Sequence, residues 1–475
     1  MPFISIEFAA FFALFFAAYW CFDTAPKVQN ALLLLASLAL LSYINVTFAL
    51  SVSAFAFGIS GVAKGMTSAK TEKMRRRWLI AGLSAAVCLL AFFKYYDFFR
   101  NSLYEMGFED VADIVMPLGL SYYIFQSIAY LVELYRRKTP ALKWHELWLH
   151  FSFFPTITMG PIIRASRFNS VAGINLGMTE QLRRPRQIRS PALALALVLL
   201  GVVKVWLLAA HLGAELVSPV FDNPMQYSLP MLLAGAYGYT LQLFFEFSGY
   251  CDLVMGLALF LGFRLPWNFR APLYASNIRE FWGRWHITLS TWIRDYIYIP
   301  LGGSRKGFWR TQLNLMLAFM LSGIWHGNSW NFLLWGTLHG LALVLLHLKI
   351  RWFGEAPPVT TPWQKAKHLA SIVLTFNFVV FAFVIFKTSD LYEAAQFFSA
   401  WFDTQAPAML EAWLLILAIH VGVLSYPLWT ESLRHFVGLL RALPTPYWLV
   451  VILLLLQVVI AFAPAGIPEF IYADF

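Results

Sequence analysis

His326 combines a titratable ring with apolar surroundings. It lies between two long apolar runs and is followed directly by Gly327, Asn328 and Ser329. If those runs cross a membrane, the polar, irregular backbone after His326 requires protein or water around it and so predicts an interior cavity, with Asn328 as a candidate substrate-binding residue. A charged side chain at that depth costs at least ~2.5 kcal/mol, so we expect a neutral imidazole that accepts a proton as a general base. The alternative is a structural histidine that donates one hydrogen bond to a neighbouring helix.

A second histidine belongs to the stretch SNIREFWGRWHI, residues 276–287. Ser276 can cap a helix in which Glu280 and Arg284 are spaced i,i+4 and the aromatic side chains form one face. We therefore predict an amphipathic helix at the membrane boundary that carries His286, either to orient a substrate or as a solvated or aromatic-packed residue. Its basic residues are suited to the phosphates of a nucleotide-bearing donor, although positive charges also collect in cytoplasmic loops for general reasons. The candidate binding residues in this stretch are Arg279, Arg284 and Trp285.

Two carboxylates lie inside a run that is apolar enough to span a membrane. Glu246 and Asp252 flank Tyr250 in the stretch FEFSGYCD. Buried acids in such spans point to function, so we take all three as candidate substrate-binding residues. The alternative is an ion pair between one carboxylate and an arginine of the following basic stretch. The remaining histidines lack the spacing of a metal-binding helix motif, so we predict no metal.

The C-terminal residues 465–475 end in FIYADF, with three aromatic residues in the last six. A chain end that simply frays has no need of aromatic side chains. Anchoring at the membrane interface by Phe and Tyr is one explanation.

These candidates lie in a chain that is too apolar for a soluble protein. Of its 475 residues, 60% are hydrophobic and 13% are charged, whereas soluble domains carry roughly 25% charged residues. Runs of about 20 apolar residues, the length that crosses a bilayer core, recur along the chain. The formal net charge of +10 does not indicate nucleic acid as a partner, because basic residues of membrane proteins collect in cytoplasmic loops. Three widely spaced cysteines indicate neither a disulfide framework nor a thiolate metal site.

We therefore predict an all-α polytopic membrane protein with one transmembrane domain over residues 1–475. Placing the basic clusters on the cytoplasmic side gives about 11 crossings, with both termini extracytoplasmic. A turn at Ser42–Asn45 separates two short spans. The segment Leu147–Ile163, which Pro155, Gly160 and Pro161 interrupt, is predicted to be re-entrant.

Four stretches of the chain resemble the membrane-bound O-acyltransferase superfamily, in the bacterial branch that serves alginate O-acetylation, peptidoglycan O-acetylation and D-alanyl transfer. They are FFPTITMGPIIR, FEFSGYCDLVMGLALFLGF, NIREFWGRWHITLSTWIRDYIYIPLGGSR and SGIWHGNSWNFLLWGTLHG, and the resemblance is densest over residues 153–340. It implies the fold of that superfamily around a central cavity. It also carries the two functional histidines of the family over to His326 and His286.

The resemblance further implies a reaction. An acetyl group would pass from a cytoplasmic thioester, acetyl-CoA, toward an extracytoplasmic peptidoglycan or alginate-like exopolysaccharide, in a bacterial inner membrane and without a bound cofactor. The C-terminal tail is similar to an acyl-accepting motif of the branch, with Tyr472 as the carrier, although Ala473 and Asp474 make it more acidic. A periplasmic or extracellular O-acetyltransferase partner of the SGNH type is implied.

Two other functions stay open at this point. One is D-alanyl transfer from a carrier protein to teichoic acid, within the same branch. The other is a transporter that moves the intact acyl donor and performs no chemistry.

Overall fold

The computed structural model describes residues 5–106, 114–170, 173–403, 407 and 409–464. Helices make up nearly all the regular structure of these ranges, which confirms the predicted all-α class. The two short strands Phe168–Ser170 and Gly173–Asn175 pair antiparallel, with Asn169 opposite Ile174.

The chain divides into two compact units, residues 1–194 with 254–267, and residues 195–253 with 268–475. Two helices, Pro191–Val202 and Leu229–Phe260, contribute residues to both units. The other α-helices of the first unit are Ile6–Trp20, Pro26–Ile44, Val46–Ser68, Glu72–Glu105, Leu120–Tyr135, Trp144–Ser152 and Met178–Arg183. Those of the second unit are Ala210–Leu212, Ser218–Asp222, Ile278–Arg284, Ile287–Ile293, Phe308–His326, Trp330–Phe353, Pro362–Lys387, Leu391–Asp403, Leu410–Leu424, Tyr426–Ala442 and Tyr447–Phe462, with π-helical turns at Val203–Ala209, Gly213–Val217 and Arg294–Tyr298.

Seven helices of the described ranges are long and apolar enough to cross a membrane, and an eighth span results if the bent pair Leu410–Leu424 and Tyr426–Ala442 is counted as one. The sequence predicted about 11 crossings. The difference arises from apolar runs that form shorter or less apolar helices, such as Leu120–Tyr135 with its 16 residues. At 1.5 Å per residue such a helix is shorter than the roughly 30 Å hydrocarbon core. The chain is a multi-pass membrane protein on either count.

Local breaks in the helices fall where the sequence predicted them. The helical structure is interrupted at Asn45, which follows the last residue of helix Pro26–Ile44. The side chain of Asn45 caps the next helix, Val46–Ser68, by accepting a hydrogen bond from the Thr47 amide. Helix Trp144–Ser152 ends before Pro155, and the backbone to residue 167 is neither helix nor strand, although its residues are nearly all buried. Proline removes a backbone donor, so helix cannot continue through this segment.

The helices Phe308–His326 and Trp330–Phe353 form a tightly packed hairpin, and glycines make the close approach possible. A Cβ atom on Gly336 would lie 2.4 Å from the Phe319 carbonyl oxygen, and one on Gly323 would lie 2.3 Å from that of Phe332. Small residues let helix backbones approach in this way in membrane proteins. The hairpin fixes the position of His326 at its turn.

The alanine variant of Gly336 tests this packing. We expect Gly336→Ala to destabilise the protein by about 1–3 kcal/mol, because the new methyl group meets backbone that cannot move alone. Gly422→Ala is the matched control, since a Cβ atom there has nothing within 4 Å. Thermal unfolding in detergent should show a lower midpoint for the first variant and not for the second. Equal midpoints would contradict the close crossing.

Candidate active site

His326 is the last residue of helix Phe308–His326 and is only 5% exposed. The centroid of its ring lies 5.1 Å from that of Trp335 and 5.0 Å from that of Phe386, and both contacts are edge-to-face. The chain reverses over residues 327–329 before the next helix begins at Trp330. Asn328, in this turn, is exposed, so it does not share the burial of His326. The structure thus shows an imidazole enclosed by aromatic rings, and an open passage to it stays a prediction.

A further buried histidine lies close to His326. His339 is fully buried, and the ring of Trp335 lies between the two histidines, with its centroid 4.9 Å from that of His339. The indole N–H of Trp282 donates to Nδ1 of His339 at 3.3 Å. Because an indole nitrogen is only a donor, the neutral ring of His339 carries its proton on Nε2. His339 is not among the residues that the sequence predicted for the site, because its spacing to the other histidines indicates only that a metal motif is absent. The signal for its position is the i,i+4 spacing to Trp335.

The surroundings of His286 differ from the prediction. Asn277 caps helix Ile278–Arg284 in place of Ser276, and the helix ends before Trp285. The prediction that His286 lies on that helix is therefore wrong. His286 directly precedes the next helix, Ile287–Ile293, and has a φ of 42°. Such a left-handed conformation is strained for a residue other than glycine and often marks a functional site. Burial lowers the pKa of His286 to about 3, so its ring is neutral at physiological pH.

A buried amide, Asn268, holds the ring of His286. Its Oδ1 accepts from the Thr288 amide at 3.2 Å and from the Thr288 hydroxyl at 2.9 Å, while its Nδ2 donates to Cys251 Sγ at 3.4 Å. The Nδ1 of His286 lies 3.1 Å from the same oxygen, so it is the protonated nitrogen. Nε2 then keeps the lone pair of the neutral ring. Sequence reasoning missed Asn268 because the loop that carries it lies 18 residues before His286.

The basic residues near His286 already have partners. Arg284 pairs with Glu280, as the i,i+4 spacing predicted, and also donates to the Ala271 carbonyl at 3.2 Å. Arg279 lies 3.4 Å from Glu355, and about half of its side chain is exposed. Trp285 is buried, with its ring stacked 5.6 Å from that of Phe281. Of the two arginines, Arg279 is the more accessible to a ligand.

The predicted carboxylate cluster lies on helix Leu229–Phe260, with Glu246, Tyr250 and Asp252 all buried. Asp252 pairs with Lys204 at 2.6 Å, so its partner is a lysine of the preceding span and not an arginine of the following stretch. Gly201 and Gly249 allow the approach, since a Cβ atom on Gly201 would lie 2.6 Å from the Gly249 carbonyl oxygen. Lys204 lies in the π-helical turn Val203–Ala209, a backbone irregularity that is frequent at functional sites.

Two further predictions concern Tyr472 and metal binding. Tyr472 lies outside the described residues. Within the described ranges, no group of three or more His, Cys, Asp or Glu side chains is placed to hold a metal ion.

The site lies within a stretch that matches a known family. Residues 135–388 match the model described as "MBOAT, membrane-bound O-acyltransferase family". The chain is 34% identical to "Probable alginate O-acetylase AlgI" of Pseudomonas aeruginosa, over 83% of this chain and 73% of that protein. It is 33% identical to "Peptidoglycan O-acetyltransferase" of Helicobacter pylori, over 82% and 76%. "Teichoic acid D-alanyltransferase" of Bacillus subtilis is 28% identical over 58% of this chain and 69% of that protein.

Replacing Asn268 tests the hydrogen-bond network around His286. We expect Asn268→Leu to destabilise the protein by about 2–5 kcal/mol, because several buried donors lose one shared acceptor. Thr288→Val is the matched control: it removes one of those donors together with its need for an acceptor, and should cost about 1 kcal/mol. Thermal unfolding of both variants in detergent measures the difference. A leucine variant as stable as the valine variant would show that Oδ1 of Asn268 does not hold the ring.

Proposed function

This chain belongs to the membrane-bound O-acyltransferase family, and on that premise we propose that it carries an acetyl group across the membrane for O-acetylation of an extracytoplasmic glycan. Membership makes it an O-acyltransferase. Relatives named for alginate and peptidoglycan O-acetylation support an acetyl group as the cargo and a glycan as the destination. The final acceptor is then peptidoglycan or an alginate-like exopolysaccharide. The donor is acetyl-CoA, a substrate that would approach from the cytoplasm.

The observation that carries the proposal is the buried imidazole of His326 at a helix turn within the matched region. As a neutral general base, His326 would take the proton of an incoming hydroxyl group. The hydroxyl oxygen then attacks the thioester carbonyl, and the tetrahedral intermediate collapses with cleavage of the carbon–sulfur bond. The leaving thiolate takes the proton back from the imidazolium, which restores the neutral ring. The acetyl group changes carriers while coenzyme A stays on its own side.

The second histidine has a positioning role in this proposal. Asn268 fixes the protonated nitrogen of His286, so that the other ring nitrogen can accept a hydrogen bond from a substrate group. Arg279, Arg284 and Trp285 are proposed to contact the donor, with Asn328 at the turn beside His326. Glu246, Tyr250 and Asp252 are proposed to face the acceptor path. The partners that Arg284 and Asp252 already have mean that a substrate would have to share or displace those ion pairs.

We propose Tyr472 as the hydroxyl that receives the acetyl group. A phenol has a pKa near 10 and needs a base at neutral pH, which His326 would supply. The resulting phenyl ester is activated and can pass its acetyl group to the serine of an extracytoplasmic partner of the SGNH type. This role requires the C-terminus on the outer side of a bacterial inner membrane, the orientation that the distribution of basic residues predicts.

D-alanyl transfer from a carrier protein is the second candidate function. The similarity to teichoic acid D-alanyltransferase favours it, but it is lower in identity and covers less of this chain than the similarity to the two O-acetylation relatives. Labelling of the purified protein by acetyl-CoA, with no binding of an acyl carrier protein, would select acetyl transfer.

The alanine variant of His326 tests the base. We expect His326→Ala to lower the release of coenzyme A thiol from acetyl-CoA by about 10²–10⁴-fold, the usual contribution of a general base. His435→Ala is the matched control, because its ring lies on an exposed helix surface. Gel filtration and thermal unfolding verify that both variants fold. A folded His326→Ala protein with wild-type turnover would overturn the role of this residue.

Mass spectrometry tests the acyl carrier. After incubation with acetyl-CoA, the C-terminal peptide of the wild-type protein should carry an acetyl group that the Tyr472→Phe variant lacks. Tyr392→Phe, at an exposed position, should keep the modification. An unmodified C-terminal peptide in an active preparation would exclude Tyr472 as the carrier and leave the chemistry at His326 untouched.

A further inference from the structure

The first compact unit contains two adjoining cavities with basic walls, and none of the residues proposed for the transfer reaction lines them. Their volumes are about 570 and 470 Å³, and Lys138, Thr139 and Pro140 line both. We call the two together the basic groove. Six cationic side chains line it: Arg75, Arg137, Lys138, Arg167, Arg183 and Arg184.

Positive charge exceeds negative charge in the basic groove. Three carboxylates pair with four of its cations: Glu180 with Arg167 and Arg184, Glu146 with Arg183, and Glu72 with Arg75. Six cations and three carboxylates leave an excess of three positive charges. Arg137 and Lys138 form no ion pair within the described part of the chain, and both are exposed. Their charges are available to an anion from outside the protein.

The backbone at Arg137 is unusual. It has a φ of 57°, and only Ala271 and His286 share a positive φ among the described residues other than glycine. Arg137 follows helix Leu120–Tyr135 in a Schellman motif, in which the Lys138 amide donates to the Glu133 carbonyl at 2.8 Å and the Arg137 amide to that of Leu134 at 3.1 Å. Glycine is the residue that this position favours, because it adopts the left-handed conformation without strain. Arg137 adopts this conformation although it is not glycine, and it is one of the residues that line the basic groove.

We propose that the basic groove is a binding site for phosphate esters. Guanidinium and ammonium groups are the side chains that bind phosphate most strongly, and the buried hydroxyls of Thr139 and Thr179, 3.4 Å apart, add polar contacts at the groove. The cavity volumes lie in the range that holds a small organic ligand. The nucleotide part of an acyl thioester and the headgroup of an anionic phospholipid both present this chemistry. The proposal concerns the binding of a phosphate ester to the groove and does not depend on the acyl-transfer step at His326.

Two neighbouring glycine variants separate specific binding from general charge. Arg137→Gly removes a groove guanidinium and relieves backbone strain, so loss of folding cannot explain a loss of binding. Arg136→Gly removes the adjacent guanidinium, which lines neither cavity. Full-length protein in phosphatidylcholine nanodiscs is titrated with coenzyme A by calorimetry. In a second arm, native mass spectrometry follows retention of phosphatidylglycerol.

We expect Arg137→Gly to weaken the binding of one of these two ligands about tenfold, the loss in affinity that follows removal of one charge-assisted hydrogen bond. The variant should unfold at or above the midpoint temperature of the wild-type protein. Arg136→Gly should change binding by less than about twofold, because Arg136 lines neither cavity and so makes no direct hydrogen bond to a ligand there. Weaker binding of coenzyme A would identify the ligand as a nucleotide, and weaker retention of phosphatidylglycerol would identify it as a lipid. Equal effects of the two variants, or no effect on either ligand, would overturn the site. Either result would leave the acyl transfer at His326 standing, because the assay measures no turnover.

Discussion

Polar groups inside a bundle of apolar helices must find their hydrogen-bond partners within the protein, because the surrounding hydrocarbon offers none. In the second compact unit, several buried polar groups find such partners in residues that are distant in sequence. Trp282 donates to His339, Asn268 holds His286, and Lys204 pairs with Asp252. Asn331, fully buried at the start of helix Trp330–Phe353, donates to the Ile385 carbonyl at 3.2 Å. Each pair joins two elements, so the same contacts that satisfy polar atoms also fix those elements to one another.

This constraint has a chemical consequence for the histidines. The imidazole of His326 is enclosed by the rings of Trp335 and Phe386 and is only 5% exposed, so little water can surround it. In the proposed reaction the neutral ring acts as the base, and the two aromatic contacts would fix its orientation. If the proposed thioester binds beside His326, the enclosure would also keep bulk water from it and so limit its loss to hydrolysis. Catalysis at His326 is the role that we propose, and the burial of this residue would also suit a structural role.

Features with a local signal were predictable from the sequence. The break at Asn45, the end of helix before Pro155, the reversal after His326 and the Glu280–Arg284 pair all follow from neighbouring residues. The motifs also sufficed for the family. Features that depend on tertiary contacts were not predictable. The prediction that His286 lies on a helix was wrong, because its left-handed backbone depends on contacts with Asn268 in another loop. His339 is connected to His326 only through the ring of Trp335, a tertiary contact that its spacing in the sequence does not reveal. Length and composition support seven or eight spans among the described residues, and the other crossings stay a prediction, because an apolar run does not reveal how long its helix will be.

Transport with two labels tests most directly whether the acyl group crosses without its donor. The protein is reconstituted in sealed vesicles that enclose acetyl-CoA with one label in the acetyl group and another in the nucleotide, while the glycan acceptor and its partner transferase are outside. The proposed transfer predicts that the acetyl label appears on the external glycan while the nucleotide label stays inside. Release of both labels together as intact acetyl-CoA would contradict it and would identify the protein as a carrier of the donor.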